Sequence, residues 1–170
     1  DLSKLLLSKS KEVDYISILD SNTQITHPRL PADYINYDLI AGVDALEVLE
    51  VNTDAFNSLR TFHLQNQDWL FGYLSYDLKN EVEQLNSKNH DGIRADSLSF
   101  FIPKYVFLLN GNELAIHTYD TKENCEQFLA KLEINSEEQT SSIPLQKRES
   151  KDVYLQKIAQ IKQHIQRGDI

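Results

Sequence analysis

The sequence predicts an α+β fold, a largely antiparallel sheet with flanking helices, and three observations carry that prediction. Short apolar runs, some alternating and some continuous, are bounded by turn residues, which is the pattern of strands. Asn110-Gly111-Asn112 lies between two such runs as a strong hairpin signal, and a hairpin makes its strands antiparallel. Stretches with apolar residues at three- and four-residue spacing flank these runs and supply the helices.

Taken in order, Leu2, Leu5 and Leu6 predict a short amphipathic helix. Residues 13–19 (VDYISIL) alternate as a strand with Val13, Tyr15 and Leu19 inward, closed by the turn chemistry of Asp20-Ser21-Asn22. His27-Pro28 and Leu30-Pro31 then predict a loop, because proline removes a donor and holds its predecessor extended. Residues 37–43 and 45–51 predict two strands, with a tight hairpin at Asp44 if the sheet is antiparallel there. Thr53 is the expected N-cap of a helix to residue 65, on which Phe56, Leu59, Phe62 and His63 recur at helical spacing.

Residues 69–76 (WLFGYLSY) are nearly all apolar or aromatic and predict a central strand buried on both faces. Gly72 within it marks a bulge or a close approach of another backbone or ligand. A short helix is expected over 78–85, then strands over 97–102, 104–109 and 113–119. Thr121 caps a helix whose Cys125, Phe128, Leu129 and Leu132 share a face, which core packing explains. Residues 134–147 (INSEEQTSSIPLQK) read as a polar connector, so a boundary is expected between 1–147 and 148–170. Ser150 caps a last helix with the stripe Tyr154, Ile158, Ile161 and Ile165, ended by Gly168. A stripe of that length just before Asp169-Ile170 leads us to expect a partner surface and a strand to follow, and a sequence that is cut rather than finished.

A chain of 170 residues can bury a core without staples. Its net charge of -9, from 17 Lys and Arg against 26 Asp and Glu, is the wrong sign for phosphate backbones or anionic lipid, so no nucleic acid and no membrane are expected as partners. No run approaches the roughly 20 apolar residues of a membrane span. The single Cys125 has no internal partner and no cation beside it in sequence, which favours a reduced, cytoplasmic setting.

Motifs that carry chemistry are sparse. There is no Gly-rich phosphate loop, no Cys or His cluster at metal spacing and no GxSxG, so no catalytic and no metal-ligating residue is assigned. The five histidines, at 27, 63, 90, 117 and 164, stand apart and read as structural or surface residues. Asp77, Glu81 and Glu83 offer an acid/base pair or a cation site in principle, but solvated helix charges account for them, as they do for Glu137-Glu138. Two features rise above this background, the segment from Asp20 to Tyr37 and the aromatic run with Gly72, and both are expected to line one pocket. Tyr34, Tyr37 and the polar Asp20-Ser21 would suit a small aromatic amino acid, with rings for stacking and oxygens for its ammonium; ordinary packing of tyrosines is the equal alternative.

Three stretches together carry a resemblance. Ile18-Leu19-Asp20-Ser21-Asn22, then Phe71-Gly72-Tyr73-Leu74-Ser75-Tyr76-Asp77-Leu78, then the helix from Tyr154 to Gly168-Asp169-Ile170 resemble, in order and spacing, the amino-terminal region of the chorismate-binding enzymes. Within that family the second stretch is similar to the GYLSYDL signature of component I of aminodeoxychorismate synthase (para-aminobenzoate synthase), with component I of anthranilate synthase the near relative.

The resemblance implies the sheet-rich α+β architecture of the anthranilate synthase component I-like fold, and implies that 148–170 is the first helix of the catalytic part. It implies a parent enzyme that aminates chorismate in folate biosynthesis, using Mg2+ and ammonia from a glutamine amidotransferase partner. The magnesium carboxylates, the acid/base groups and the chorismate-binding arginine would all lie beyond residue 170, so this chain alone is expected to be inactive. That placement also supplies from elsewhere the cations an anionic substrate needs against a net charge of -9. An allosteric or structural tryptophan site in the family falls on Leu19, Asp20, Ser21, Tyr34 and Tyr37, with Asp20 where the family's LLES motif has a glutamate. The alternatives are an anthranilate synthase component I fragment and a non-catalytic binding module for an aromatic amino acid.

Overall fold

Strands β2 (Leu39–Val51) and β4 (Leu98–Asn110), 13 residues each, run antiparallel along their whole length and form the spine of a five-stranded sheet. This is a computed structural model, and it describes residues 2–21, 37–83, 85, 90–132 and 146–169. The expectations placed on the proline-containing segment, on Tyr34 and on Glu137-Glu138 lie outside the described residues.

Strand β1 (Ile16–Asp20) pairs antiparallel with the first half of β2. On the other side of β4, two strands share one edge. Strand β3 (Phe71–Leu74) pairs with residues 98–101, and β5 (Glu113–Thr118) pairs with residues 105–110. The sheet is thus antiparallel at every pairing, as predicted. Gly111 adopts φ +58° in the predicted hairpin between β4 and β5, and its N–H donates to Asp38 Oδ2 at 2.6 Å.

The expected hairpin at Asp44 does not form. Asp44 does adopt a left-handed φ of 61°, but β2 runs straight through it, and one extra residue, Leu46, is accommodated between Ala45 opposite Pro103 and Glu47 opposite Ile102. The irregularity is a β-bulge, and it falls where the partner strand carries a proline with no N–H to donate. Pro103 is also why 97–102 and 104–109 read as two strands in the sequence; they are one, β4, whose LSFFIPKYVFLLN is buried almost throughout.

Helices α1 (Leu2–Ser8) and α4 (Lys122–Ala130) cover one face. There Leu6, Leu39, Ala41, Val43, Tyr105 and Phe107 are buried, and Cys125, Phe128, Leu129 and Leu132 pack on them as expected. Phe128 stacks on Tyr105 at 4.6 Å between ring centroids. Thr121 Oγ1 accepts from the Asn124 N–H, the predicted cap. Ile16 and Ile18, rather than Leu19, point into this core; Leu19 is 59% exposed.

Helix α2 (Ala55–Asn66) packs by Ala55, Leu59 and Phe62 against the far end of the sheet, while Phe56 and His63 are exposed. Thr53 is not its cap. Asp54 occupies that position in a left-handed conformation and its side chain makes no capping bond to the helix backbone; both carboxylate oxygens of Glu81 accept from the Ala55 N–H at 3.0 Å instead. After β3 comes one 3-10 turn (Tyr76–Leu78), capped by Ser75 Oγ, and then the single turn of α3 (Lys79–Val82), shorter than the helix predicted for 78–85.

The chain divides into two compact units, Asp1–Asn135, which holds the sheet, and Ser136–Ile170. The second contains α5 (Lys151–Arg167), started by Ser150 Oγ accepting from the Val153 N–H and ended by Gly168 at φ 76°, both as predicted. None of its side chains is fully buried: Tyr154, Ile161 and Ile165 are exposed and Ile158 is half-buried.

Candidate functional site

The predicted site residues Leu19, Asp20 and Ser21 stand at the carboxyl end of β1, all exposed. The chain leaves β1 at Ser21 and re-enters the sheet beside it, since the Ser21 N–H donates to the Asp38 carbonyl at 2.9 Å. Asp38 anchors this point further: its N–H donates to the Leu109 carbonyl and its carboxylate accepts from Gly111. Tyr37 is therefore brought next to Ser21 at the base of the intervening segment. Its ring is half-buried against the cluster of Phe71, Phe101, Val106 and Leu108. Tyr34 lies outside the described residues.

The aromatic run 69–76 is not a central strand. Only Phe71–Leu74 are paired, at the sheet edge, and Trp69, Tyr73 and Leu74 are 41%, 45% and 52% exposed. β1 and β3 lie on opposite sides of β2 and β4 and pair with opposite ends of them, so Asp20-Ser21 and Gly72 do not line one pocket. The expected close approach at Gly72 is present all the same. A Cβ there would stand 2.0 Å from the Ser99 carbonyl oxygen and 2.6 Å from Phe100 Cα. A second glycine, Gly42, does the same for the Phe71 ring, whose Cγ would lie 2.7 Å from an added Cβ.

The acidic residues after β3 do structural work. Asp77 pairs with Lys79 at 3.0 Å, and Glu81 caps α2. Among the described residues no three His, Cys, Asp or Glu side chains come together in a group that could hold a metal ion. No helix of the described residues is long and apolar enough to cross a membrane.

A polar hub that the sequence did not signal sits at the end of β5. Asp120 Oδ1 accepts from Asn124 Nδ2 (2.6 Å) and the Thr121 N–H (2.9 Å), while Oδ2 accepts from Tyr105 Oη (2.8 Å) and pairs with Lys104 Nζ (3.2 Å). The bonds from Asn124 and then Tyr105 hold the Asp120 carboxyl well below its usual range. Burial, and then donation to Asp120, push the Tyr105 phenol well above its own.

Beside this hub is a cleft of about 400 Å3. It occupies the stretch of the β4 edge between the residues paired with β3 and those paired with β5, with Trp69 and Asp68 on one side and His117, Thr118 and Tyr119 on the other. The Tyr119 hydroxyl donates across it to Asp68 Oδ2, and Trp69 stacks on Phe71 at 6.2 Å. None of the predicted site residues lines this cleft.

Comparison with protein families matches the chain to a family described as chorismate binding enzyme, over residues 16–170. No curated relative matches the sequence.

Proposed function

The chain belongs to the family of chorismate binding enzymes, and on that premise we propose that it is the amino-terminal part of an enzyme that aminates chorismate to 4-amino-4-deoxychorismate. The family match over residues 16–170 carries the reading. The choice of product rests on the stretch from Gly72 to Leu78, which is similar to the signature of the folate-branch subunit and forms the end of β3 with the capped 3-10 turn.

On this reading the sheet is scaffold. α5, with Tyr154, Ile161 and Ile165 exposed, is the first helix of the catalytic part and lays that stripe against it. Mg2+ and chorismate are held by residues of that part, a glutamine amidotransferase subunit supplies ammonia, and this chain alone is inactive. The setting is cytoplasmic. Leu19, Asp20, Ser21, Tyr34 and Tyr37 form a regulatory or structural site for tryptophan; the bond from the Ser21 N–H to the Asp38 carbonyl, next to Tyr37, supports the part of it that is described.

The test is product analysis. The protein that joins this chain to its catalytic part is given chorismate, Mg2+ and ammonium, and the products are identified by mass. The proposal expects 4-amino-4-deoxychorismate without release of pyruvate. Anthranilate with an equivalent of pyruvate would replace the folate-branch assignment by the tryptophan-branch one, and absence of any conversion would refute both.

A further inference from the structure

We propose that the cleft between β3 and β5 binds a guanidinium group, using Asp68 as the ion-pairing partner and Trp69 and Tyr119 as aromatic walls. The place is set by topology. β3 stops at the residue opposite Phe101 and β5 stops at the residue opposite Tyr105, so the β4 edge in between has no neighbouring strand among the described residues. Pro103 lies in that gap and has no N–H to leave unpaired. The opening measures about 400 Å3, within the size range of small-ligand sites.

Its walls fit one kind of chemistry. Trp69, entering β3, and Tyr119, leaving β5, are 41% and 75% exposed, so both remain open to a ligand in the cleft. Asp68 lies with them and is held in place. Its Oδ1 accepts from the Trp69 N–H at 2.7 Å and its Oδ2 from the Tyr119 hydroxyl. An ionised carboxylate has about four acceptor positions, so two remain for a ligand. The bond to Asp68 also raises the Tyr119 phenol above its ordinary range, which keeps it a donor.

A planar guanidinium stacks on aromatic faces and matches a carboxylate with two parallel donors, whereas an ammonium is a strongly hydrated point charge without that geometry. Pro103, Val106 and Ile116 supply apolar surface for an aliphatic stem. Lys104, the fixed positive charge in the cleft, is paired with Asp120, and the chain as a whole carries -9, so the field favours a cation over an anion.

Trp69 is the only tryptophan of the chain, so its fluorescence reports directly on the site. The intact chain is titrated with L-arginine, with a blocked tripeptide centred on arginine, and with the citrulline counterpart of each, which keeps the shape and removes the charge. The expected result is a saturable change in Trp69 emission with an arginine compound and none with citrulline. Asp68→Asn should weaken binding roughly tenfold or more, the loss of a charge-assisted bidentate pair. Asp68→Glu keeps the carboxylate and should restore most of the binding lost in Asp68→Asn, which separates recognition by charge from a structural effect. A response to free arginine assigns the site to a small guanidinium compound; a response to the peptide alone assigns it to an arginine of a partner protein. No response to either, an equal response to citrulline, or unchanged binding by Asp68→Asn overturns the proposal.

Discussion

Asp120 shows how one side chain can fasten three elements. It sits between β5 and α4 and takes donors from α4, from its own turn and from Tyr105 and Lys104 of β4. Because its carboxyl is depressed in the folded state relative to about 3.9 in an unfolded chain, its contribution is fully present above that value and is lost as pH falls towards the folded one. Tyr105 works the other way: its phenol is raised, so its contribution is present below about pH 10 and falls as pH rises past it. Thermal melts between pH 2 and 7 followed by circular dichroism test the acid side. Asp120→Asn should melt lower than the unsubstituted chain at pH 7, and the gap should narrow on acidification; a constant gap would remove Asp120 from the acid response. Residue by residue, the caps were legible in the sequence at Thr121, Ser150 and Gly168, where the partner is three or four positions away. The cap from Glu81 to Ala55 was not, because 26 residues separate donor and acceptor.

At the level of elements, glycine decides how closely β3 can approach β4. An added methyl group at Gly72 would meet backbone on β4, which cannot swing aside as a side-chain tip can. Gly72→Ala should therefore cost about 1 to 3 kcal/mol in a denaturant melt, the range of overpacking substitutions; an unchanged midpoint would contradict the close approach. Sequence patterning found nearly every strand but misjudged the rank of two. The run 69–76 looked central because it is continuously apolar, yet its length outside the four paired residues is spent at the sheet edge. The most buried strand, β4, was split in the reading by Pro103 and Lys104, and Asp44 looked like a turn because a left-handed aspartate serves a bulge and a hairpin equally well. In β1 a shift of phase was enough to send Leu19 outward and Ile16 and Ile18 inward.

For the whole molecule, the α+β class and the antiparallel sheet were legible because alternation and turn chemistry are local signals. The candidate site was legible only in part. The sequence placed Asp20-Ser21 and Tyr37 at the two ends of one segment, and the Ser21 N–H does bond to Asp38 beside Tyr37, but it could not foresee that β1 and β3 flank the two long strands at opposite ends, nor that Trp69 and Tyr119 line one cleft at an interrupted sheet edge. Both depend on pairings between distant residues. The family of chorismate binding enzymes, matched over residues 16–170, gives the fold its chemical context.

The most direct test of the central claim is calorimetric titration with chorismate and Mg2+ of two samples, this chain and a longer protein that joins it to the proposed catalytic part. The account predicts saturable binding by the joined protein and none by this chain alone. Equal binding by this chain alone, or no binding by the joined protein, would contradict it.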